Sequence, residues 1–492
     1  MFWADKLLEN NSGKQIVNDS WTPSGIIHMG SLKGPVIHDT LFLILKEKGA
    51  DVKFMYGFDD FDPIDGLPPD LKDSHSKYLG IPLYLAPAPS GRGTFGDYFG
   101  NKMKKLLNEL EIKPDELYKT SELYKSGKFD DAIKFVLNHS QEIRDVYSSI
   151  YKKEIAKDWF PLQVICPSCG KLSTTRVTSW DGKEVSFSCE KDLVEWAQGC
   201  GENGTLSPLN GTSKMPYKVE WAAKWWTFGV TVEGAGKDHT SAGGTYDVAT
   251  QIIEKVFKKE PPLKFGYEFF LVGGKKMSSS KGIGLTGEEL LKVLTPQVAR
   301  FLMIKTRAEQ AVEFDPRSPD IIPRLYDDYQ IASKSGDDFH RAFELSQIGR
   351  QEKVPKIRFA TLSQWVQMPN MREEIEREGL SEWVKYVTIW VEKYAPESEK
   401  FEVRKEIPAE AKNLTDLQKN YLKRVSDQVL EDLDSEDLQA KIYEISKEMG
   451  ISSKDAFAAI YIALLGRDHG PKAAWLITSL DKEFVKERFN SL

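Results

Sequence analysis

One short segment combines cationic side chains, hydroxyl groups and glycine. It reads Lys275-Lys276-Met277-Ser278-Ser279-Ser280-Lys281-Gly282. Lysines supply point charges, serines and free backbone N–H groups supply hydrogen-bond donors, and glycine lets the backbone come close to a ligand. The segment is therefore suited to binding a polyphosphate, although by itself it is equally typical of a flexible polar surface loop.

A second segment, near the N-terminus, connects a strand pattern to a helix pattern. Residues 14–19 form a short apolar-centred run, and apolar residues recur at helical spacing over 31–46. Between them lies Thr22-Pro23-Ser24-Gly25-Ile26-Ile27-His28-Met29-Gly30-Ser31. A glycine-containing turn at a helix N-terminus binds anions, because unpaired N–H groups and the helix dipole point at the ligand. We expect Gly25 and Gly30 to admit a nucleotide, and His28 to donate a hydrogen bond to its phosphate or ribose.

Together the two segments resemble the paired HIGH and KMSKS signatures of class I aminoacyl-tRNA synthetases. The resemblance is greatest to the class I lysyl-tRNA synthetases, in which K-M-S-S-S-K-G is the usual form of the second signature. It implies ATP and Mg²⁺ as cofactors, and L-lysine and tRNA(Lys) as partners. It also implies two steps: the lysine carboxylate attacks the ATP α-phosphate, and the terminal ribose hydroxyl of tRNA then takes the aminoacyl group. The protein contributes position and charge stabilisation.

The resemblance also implies roles for individual residues. The triphosphate in the transition state is assigned to His28, Lys276 and Lys281. ATP contacts are assigned to Pro23, Ser24, Gly25, His28, Gly30, Asp238, Lys276, Met277, Ser278, Ser279, Ser280 and Lys281. The lysine pocket is assigned to Thr22, Glu220, Trp221, His239 and Tyr267. Glu220 stands where the family has Asp, but a carboxylate beside an indole still suits an ammonium on an apolar stem. Core packing is the alternative interpretation of the tryptophans.

All four cysteines of the chain lie within one segment. Cys166-Pro167-Ser168-Cys169-Gly170 has the C-x2-C-Gly form of a metal knuckle, whereas Cys189 and Cys200 lie far apart in the sequence. The clustering favours a tetrahedral structural Zn²⁺ site. The alternative is a set of reduced thiols packed as small apolar residues.

The predicted fold class is α/β, in five parts. Residues 1–100 and 219–284 are the two halves of a Rossmann-type parallel-sheet catalytic domain. Residues 101–218 are a small cysteine-containing insertion that guides the acceptor end of tRNA. Residues 285–330 are stem-contact helices, and residues 331–492 are an all-α anticodon-binding domain. Within these parts we expect strands at 51–60, 230–233 and 267–272, a long loop at 83–99, and helices at 414–433 and 453–465.

Composition places limits on the class of protein. The chain has 492 residues, 40% of them hydrophobic, and a net charge of −7, which indicates a multidomain globular protein. No apolar run approaches the roughly 18 residues of a membrane span, and the N-terminus lacks a secretory pattern. Four cysteines do not suggest a secreted disulfide scaffold. We expect a cytoplasmic monomer without membrane association.

Three alternatives remain open. The first is the same chemistry with another amino acid, above all glutamate, although Glu220 and the acids after Phe58 disfavour an anionic side chain. The second is a small-molecule nucleotidyltransferase, in which the cysteine insertion and the helical tail would have no role. The third is a noncatalytic tRNA-binding relative, against which His28, Lys276 and Lys281 argue.

Overall fold

The computed structural model describes residues 1–277, 284–347, 354–429, 431 and 433–492. The chain folds into two compact units. The first comprises Met1–Leu291, Pro296–Asp315 and Lys334–Gln351, and the second comprises Lys292–Thr295, Pro316–Ser333 and Glu352–Leu492. Among the described residues, no helix has the length and apolarity needed to cross a membrane.

The described strands are β1 Lys14–Trp21, β2 Asp51–Phe58, β3 Glu116–Lys119, β4 Gln163–Val164, β5 Thr175–Trp180, β6 Val185–Cys189, β7 Asn203–Leu206, β8 Ser213–Lys214, β9 Ala235–Gly236, β10 Gly266–Tyr267, β11 Phe270–Val272, β12 Lys275–Lys276 and β13 Val312–Glu313. The described helices are α1 Trp3–Leu7, α2 Lys33–Glu47, α3 Lys72–His75, α4 Phe95–Glu109, α5 Thr120–Lys125, α6 Asp130–Asn138, α7 Ser140–Tyr151, α8 Tyr217–Phe228, α9 Lys237–Thr240, α10 Thr245–Lys255, α11 Gly287–Val293, α12 Pro296–Ile304, α13 Ile321–Ala332, α14 Asp338–Ser346, α15 Phe359–Trp365, α16 Arg372–Arg377, α17 Ser381–Lys393, α18 Asp416–Val429, α19 Ser435–Glu448, α20 Ser453–Leu465, α21 Ala473–Thr478 and α22 Lys482–Asn490.

A parallel sheet organises the first unit. Strands β1, β2 and β3 lie side by side in that order, and the β1–β2 register runs from Lys14 opposite Asp51 to Trp21 opposite Phe58. Val232 extends the sheet through single parallel bridges to Val17 and to Leu263. Strand β9 pairs in parallel with β10. Helix α2 connects β1 to β2 and packs on both. The predicted α/β class is confirmed.

Local signals account for several of the predicted elements. The hairpin between β5 and β6 turns at residues 181–184, and Thr286 and Glu289 form a reciprocal cap before α11. Helix α20 ends at Gly466, whose φ of 74° lies in the left-handed region.

Two local predictions were wrong in part. The segment 83–99 is a loop only as far as Thr94, whose hydroxyl caps α4 by accepting a hydrogen bond from the Asp97 N–H at 3.1 Å. The segment 230–233 forms two isolated bridges, both at Val232, instead of a strand. The residues that follow, Glu233 and Gly234, line a cavity at the edge of the sheet.

The second unit is helical, as predicted. It contains α13 and α15–α22. Its core includes a cluster of aromatic rings, in which Tyr326 lies 4.6 Å from both Phe359 and Trp383, centroid to centroid. Residues 316–333 belong to this unit, and 334–351 belong to the first. The five-part division made from the sequence stays a prediction.

A buried ion pair between α12 and α2 provides a test of the first unit's stability. Arg300 donates to Asp39 at 2.6 Å, and both side chains are at most 5% exposed. Arg300→Met would leave the Asp39 carboxylate buried without its cation, which typically costs about 3–5 kcal/mol in the free energy of unfolding. Urea unfolding measures the loss. The control is Lys105→Met at an exposed pair with Glu109, where no measurable change is expected.

Candidate active site

A cavity of about 380 Å³ opens in the first unit, at the carboxyl ends of β1 and β2, where ligands bind in open parallel sheets. The cavity brings together many of the residues that were predicted from the sequence. The structure places Thr22, Ser24, His28, Gly30, Trp221, Asp238, His239, Tyr267, Lys276 and Met277 in its lining. Pro23, Gly25 and Glu220 do not line it. Ser278, Ser279, Ser280 and Lys281 lie outside the described residues.

His28 sits in the turn between β1 and α2, with its imidazole ring over Gly30. A Cβ atom at Gly30 would lie 2.8 Å from Nδ1 of His28, so a side chain there would displace the ring. That Nδ1 atom is buried and has no hydrogen-bond partner among the described residues. Burial, and then the charge of Lys276, lower the pKa of His28. The imidazole is therefore neutral at pH 7 and holds one N–H for a ligand in the cavity.

Lys276 lies on β12 at the mouth of the cavity. Its ammonium forms an ion pair with Asp238 and lies 3.8 Å from the centroid of the Phe269 ring. Both members of the ion pair are about half exposed, so the pair is weak and a polyphosphate can compete for the lysine. His239 follows Asp238 on α9, and its ring is 5.9 Å from the Trp221 ring at an interplanar angle of 89°. Its pKa is lowered, mainly by burial.

Glu220 lies behind the cavity wall and not in it. Its carboxylate accepts hydrogen bonds from Lys214 at 2.7 Å and from the Tyr124 hydroxyl at 2.6 Å, with Lys224 at 3.6 Å. Trp221 lines the cavity. Glu220 and Trp221 together line a small recess that shares Ser20 and Tyr217 with the cavity. Direct contact of Glu220 with lysine stays a prediction.

Asp59, one of the acids after Phe58, lines the cavity, and so do two acids that were not predicted from the sequence, Asp19 and Glu233. Asp59 pairs with Lys224. The indole N–H groups of Trp221 and Trp225 donate to the two oxygens of Glu233, each at 2.7 Å. Asp19 lies near the carboxyl end of β1. An acid at the carboxyl end of a predicted parallel strand is the sequence feature that could have identified it as a site residue.

The lining of the cavity carries more acids than cations. It includes five acids, Asp19, Asp59, Glu233, Asp238 and Glu268, and two lysines, Lys33 and Lys276. Burial raises the pKa of Asp19 to about 8 and that of Glu233 to about 7. Unbalanced buried carboxyl groups favour a cationic ligand and oppose an anionic one.

The four cysteines meet in space, away from the cavity. Their sulfur atoms all lie within 4.8 Å of one another, with Cys166 3.6 Å from Cys200 and Cys169 3.7 Å from Cys189. Four sulfurs bound to Zn²⁺ at about 2.3 Å in a tetrahedron are about 3.8 Å apart. All four residues are free thiols in this structure. Their spacing fits a tetrahedral metal ion.

The second cysteine pair is a knuckle with a loop inserted into it. Glu190 and Gly199 are neighbours, because the N–H of Gly199 donates to the Glu190 carbonyl at 3.2 Å. The eight residues 191–198 therefore loop out between them. Both knuckles then share one backbone pattern: Gly170 donates to the carbonyl of Cys166 at 2.8 Å, and Gly201 to that of Cys189 at 2.9 Å. Spacing in sequence had hidden this equivalence.

With this geometry established, comparison with known proteins identifies the family. Residues 2–348 match the family model described as tRNA synthetases class I (K), and residues 360–492 match an anticodon binding domain. The chain belongs to the class I tRNA synthetases. Membership agrees with both signature segments, and the second match agrees with the helical second unit.

The similar curated proteins are lysine–tRNA ligases. That of Methanosarcina barkeri (strain Fusaro / DSM 804) is 32% identical, with 99% of this chain and 97% of the relative covered. That of Archaeoglobus fulgidus is 32% identical with full coverage of both chains. A solved glutamate–tRNA synthetase from Elizabethkingia anophelis is 11% identical, covers 98% of this chain and 99% of its own, and has a TM-score of 0.49.

Proposed function

We propose that this chain is a lysine–tRNA ligase. It activates L-lysine with ATP to lysyl-adenylate and transfers the lysyl group to the 3′-terminal ribose of tRNA(Lys). The observation that carries the proposal is the acid-rich lining of the cavity, which lies beside the two phosphate-binding signatures. The full-length likeness to lysine–tRNA ligases supports it. The same lining disfavours glutamate, because its five acids outnumber its two lysines and an anionic side chain would find no unpaired cation of the described residues beside Asp19 and Glu233.

The chain's own residues orient the reactants. Trp221 and His239 form an aromatic wall for the lysine stem, and Thr22 lies on the lining with its hydroxyl donated to Asp62 at 3.0 Å. His28 donates its N–H to the phosphates. Lys276 leaves its ion pair with Asp238 and binds the phosphates, where it stabilises the negative charge that develops on pyrophosphate. Lys281 and the three serines before it complete the phosphate loop, as the family resemblance implies. Mg²⁺ is the counter-ion of the bound ATP.

The second unit is assigned to the tRNA. Its match to an anticodon binding domain supports contact with the anticodon of tRNA(Lys). We assign the cysteine-containing insertion to the acceptor end of the same tRNA, and we assign the whole chain to a cytoplasmic monomer.

The four cysteines are assigned to a structural Zn²⁺ ion. The sulfur spacing fits the metal, and backbone N–H groups around the knuckles point at the sulfurs: that of Cys200 lies 3.4 Å from Sγ of Cys189. Such donors stabilise thiolate charge. When bound, the ion cross-links the two knuckles.

The deciding experiment is to charge total tRNA with each amino acid in turn, with ATP and Mg²⁺ present. Transfer RNA is included from the start, because enzymes of this subclass can require it even for activation. We expect lysine alone to be attached. Attachment of glutamate or another amino acid would overturn the pocket assignment, and no attachment would favour the nucleotidyltransferase or noncatalytic alternatives.

A further inference from the structure

Of the five acids that line the cavity, Asp19 and Glu233 form no salt bridge with a lysine or arginine of the described residues. Glu233 is held by two indole N–H groups and also lies within the electrostatic influence of Lys224. The other three each pair with a lysine: Asp59 with Lys224, Asp238 with Lys276 and Glu268 with Lys237. Asp19 accepts one hydrogen bond, from the N–H of Ser20 at 3.0 Å. A buried carboxylate without a counter-ion is costly to a protein unless a ligand supplies one.

The neighbour of Asp19 on α2 is a neutral histidine. Nδ1 of His38 lies 3.6 Å from the Asp19 carboxylate and 2.9 Å from the carbonyl of Gly34. Nε2 of the same ring accepts the N–H of Gly234 at 3.0 Å, so it carries no proton. The one ring proton is therefore on Nδ1, and burial keeps the ring uncharged. His38 does not balance Asp19.

The absence of a side chain at Gly34 lets the Tyr267 hydroxyl approach Asp19. A Cβ atom on Gly34 would be 2.7 Å from the Tyr267 hydroxyl oxygen and 3.2 Å from Oδ2 of Asp19. The two oxygens are therefore at most about 6 Å apart. An ammonium group placed between two such oxygens can donate a hydrogen bond to each.

The orientation of the substrate follows from depth. The α-carboxylate of the amino acid must meet the α-phosphate near His28 and Lys276, and Lys276 lies at the half-exposed mouth. Three buried acids line the cavity away from that mouth: Asp19 at 6% exposure, and Asp59 and Glu233 at 2% each. Asp59 is paired with Lys224, and Glu233 is bonded to two indole N–H groups. Asp19 is therefore the acid that remains for the far end of the substrate side chain.

We propose that Asp19 is the counter-ion of the substrate's ε-ammonium group, with Tyr267 as a second oxygen and Gly34 as the position that leaves room. This inference rests on the proposed function. It makes Asp19 a specificity-determining residue, because only a side chain with a terminal cation compensates its charge.

Two lysine analogues distinguish recognition of the ε-ammonium group from recognition of the α-ammonium group. L-Norleucine lacks the ε-ammonium, and 6-aminohexanoate lacks the α-ammonium. For Asp19→Asn we expect binding of lysine and of 6-aminohexanoate to weaken by about 100-fold, as loss of a charge-assisted hydrogen bond requires. Inhibition by norleucine is expected to change by less than about threefold. Lysine is measured by tRNA-dependent ATP–pyrophosphate exchange, and the analogues as inhibitors of it.

Each outcome supports or overturns the assignment. Equal weakening of norleucine would place the α-ammonium at Asp19 and overturn it, as would an unchanged KM for lysine. If the unaltered enzyme does not charge lysine, the proposed function fails as well. If it does and only the Asp19 result is negative, the proposed function stands. Asp60→Asn is the matched control, since Asp60 is equally buried but bonds to Ser121 outside the cavity; its KM for lysine is expected to stay unchanged.

A second variant covers a failure of the first to fold. Gly34→Ala leaves every charge in place and suits a helix, but its Cβ displaces the Tyr267 hydroxyl. It is expected to raise the KM for lysine about 100-fold and to leave the KM for ATP unchanged. An unchanged KM for lysine would overturn the assignment.

The pH dependence of the KM for lysine distinguishes a binding role of Asp19 from a purely structural one, because a structural role would not change it. The titratable groups around Asp19 are His38, Tyr56, Asp59, Glu233 and Tyr267. Burial raises the pKa of Asp19 to about 8, so in the empty site its carboxyl group is mostly protonated at pH 7. A bound ammonium group displaces that proton. The KM for lysine should therefore fall as pH rises from 6 to 8, by up to about tenfold per pH unit. In Asp19→Asn the dependence near pH 8 should be lost, leaving only the titration of Glu233 near pH 7. A profile identical to that of the unaltered enzyme would count against Asp19.

Discussion

His28→Ala is expected to lower the rate of lysyl-adenylate formation by about 100- to 1,000-fold, the usual effect of removing one donor to transition-state charge. The reason is geometric, because Nδ1 of His28 is buried, unpartnered among the described residues and adjacent to Gly30 in the nucleotide turn. The lowered pKa of the imidazole makes it a neutral donor, so the loss should be similar at pH 7 and pH 8. Lysine-dependent ATP–pyrophosphate exchange in the presence of tRNA measures the rate.

Binding of tRNA separates this loss from unfolding. Filter binding of tRNA(Lys) should be unchanged in the His28→Ala variant, because the anticodon match covers residues 360–492. His340→Ala is the control, since that histidine is half-buried on α14 and pairs with Glu344. Activation that survives in His28→Ala would show that the catalytic site has been placed wrongly.

Loss of metal from the four-cysteine site is the second large effect that we expect. Structural Zn²⁺ contributes about 10–16 kcal/mol of apparent binding free energy at pH 7 in small zinc domains. The four sulfur atoms come from two separate knuckles, so a bound ion cross-links segments that are 20 or more residues apart in sequence. Cys169→Ser should therefore lower the zinc content from one ion per chain to below half. It should lower Tm and tRNA charging in parallel.

Elemental analysis and thermal melting make this measurement, with Ser168→Ala as the control. Ser168 lies between two of the cysteines, and its hydroxyl bonds only to Glu202, so this variant keeps all four thiols. A protein purified without zinc, whose four thiols react with Ellman's reagent and whose Tm is unaffected by a chelator, would contradict the metal assignment.

Much of the site was readable in the sequence because its chemistry is local. The turn at residues 22–31 and the capping box at Thr286 depend on side chains only a few positions apart, so residue type and spacing define them. The same is true of the helical spacing that predicted α18 and α20. The cysteine cluster was recognisable from the first knuckle and from the position of all four cysteines within one segment.

What depends on contacts between distant segments was not readable. Glu220 and Trp221 were predicted to act together, but the fold turns one toward Lys214 and the other toward the cavity. The second knuckle closes only because Glu190 meets Gly199 across an inserted loop.

The sequence by itself determined the class of chemistry, the α/β class and the helical second unit, because these follow from short motifs and from periodicity. Only the tertiary structure decided which acids line the cavity. Asp19, Gly34 and Tyr267 belong to three elements that meet at the end of one sheet. The physical reason is that charge balance in a buried site is a property of all the groups packed around it, which no single stretch of sequence contains.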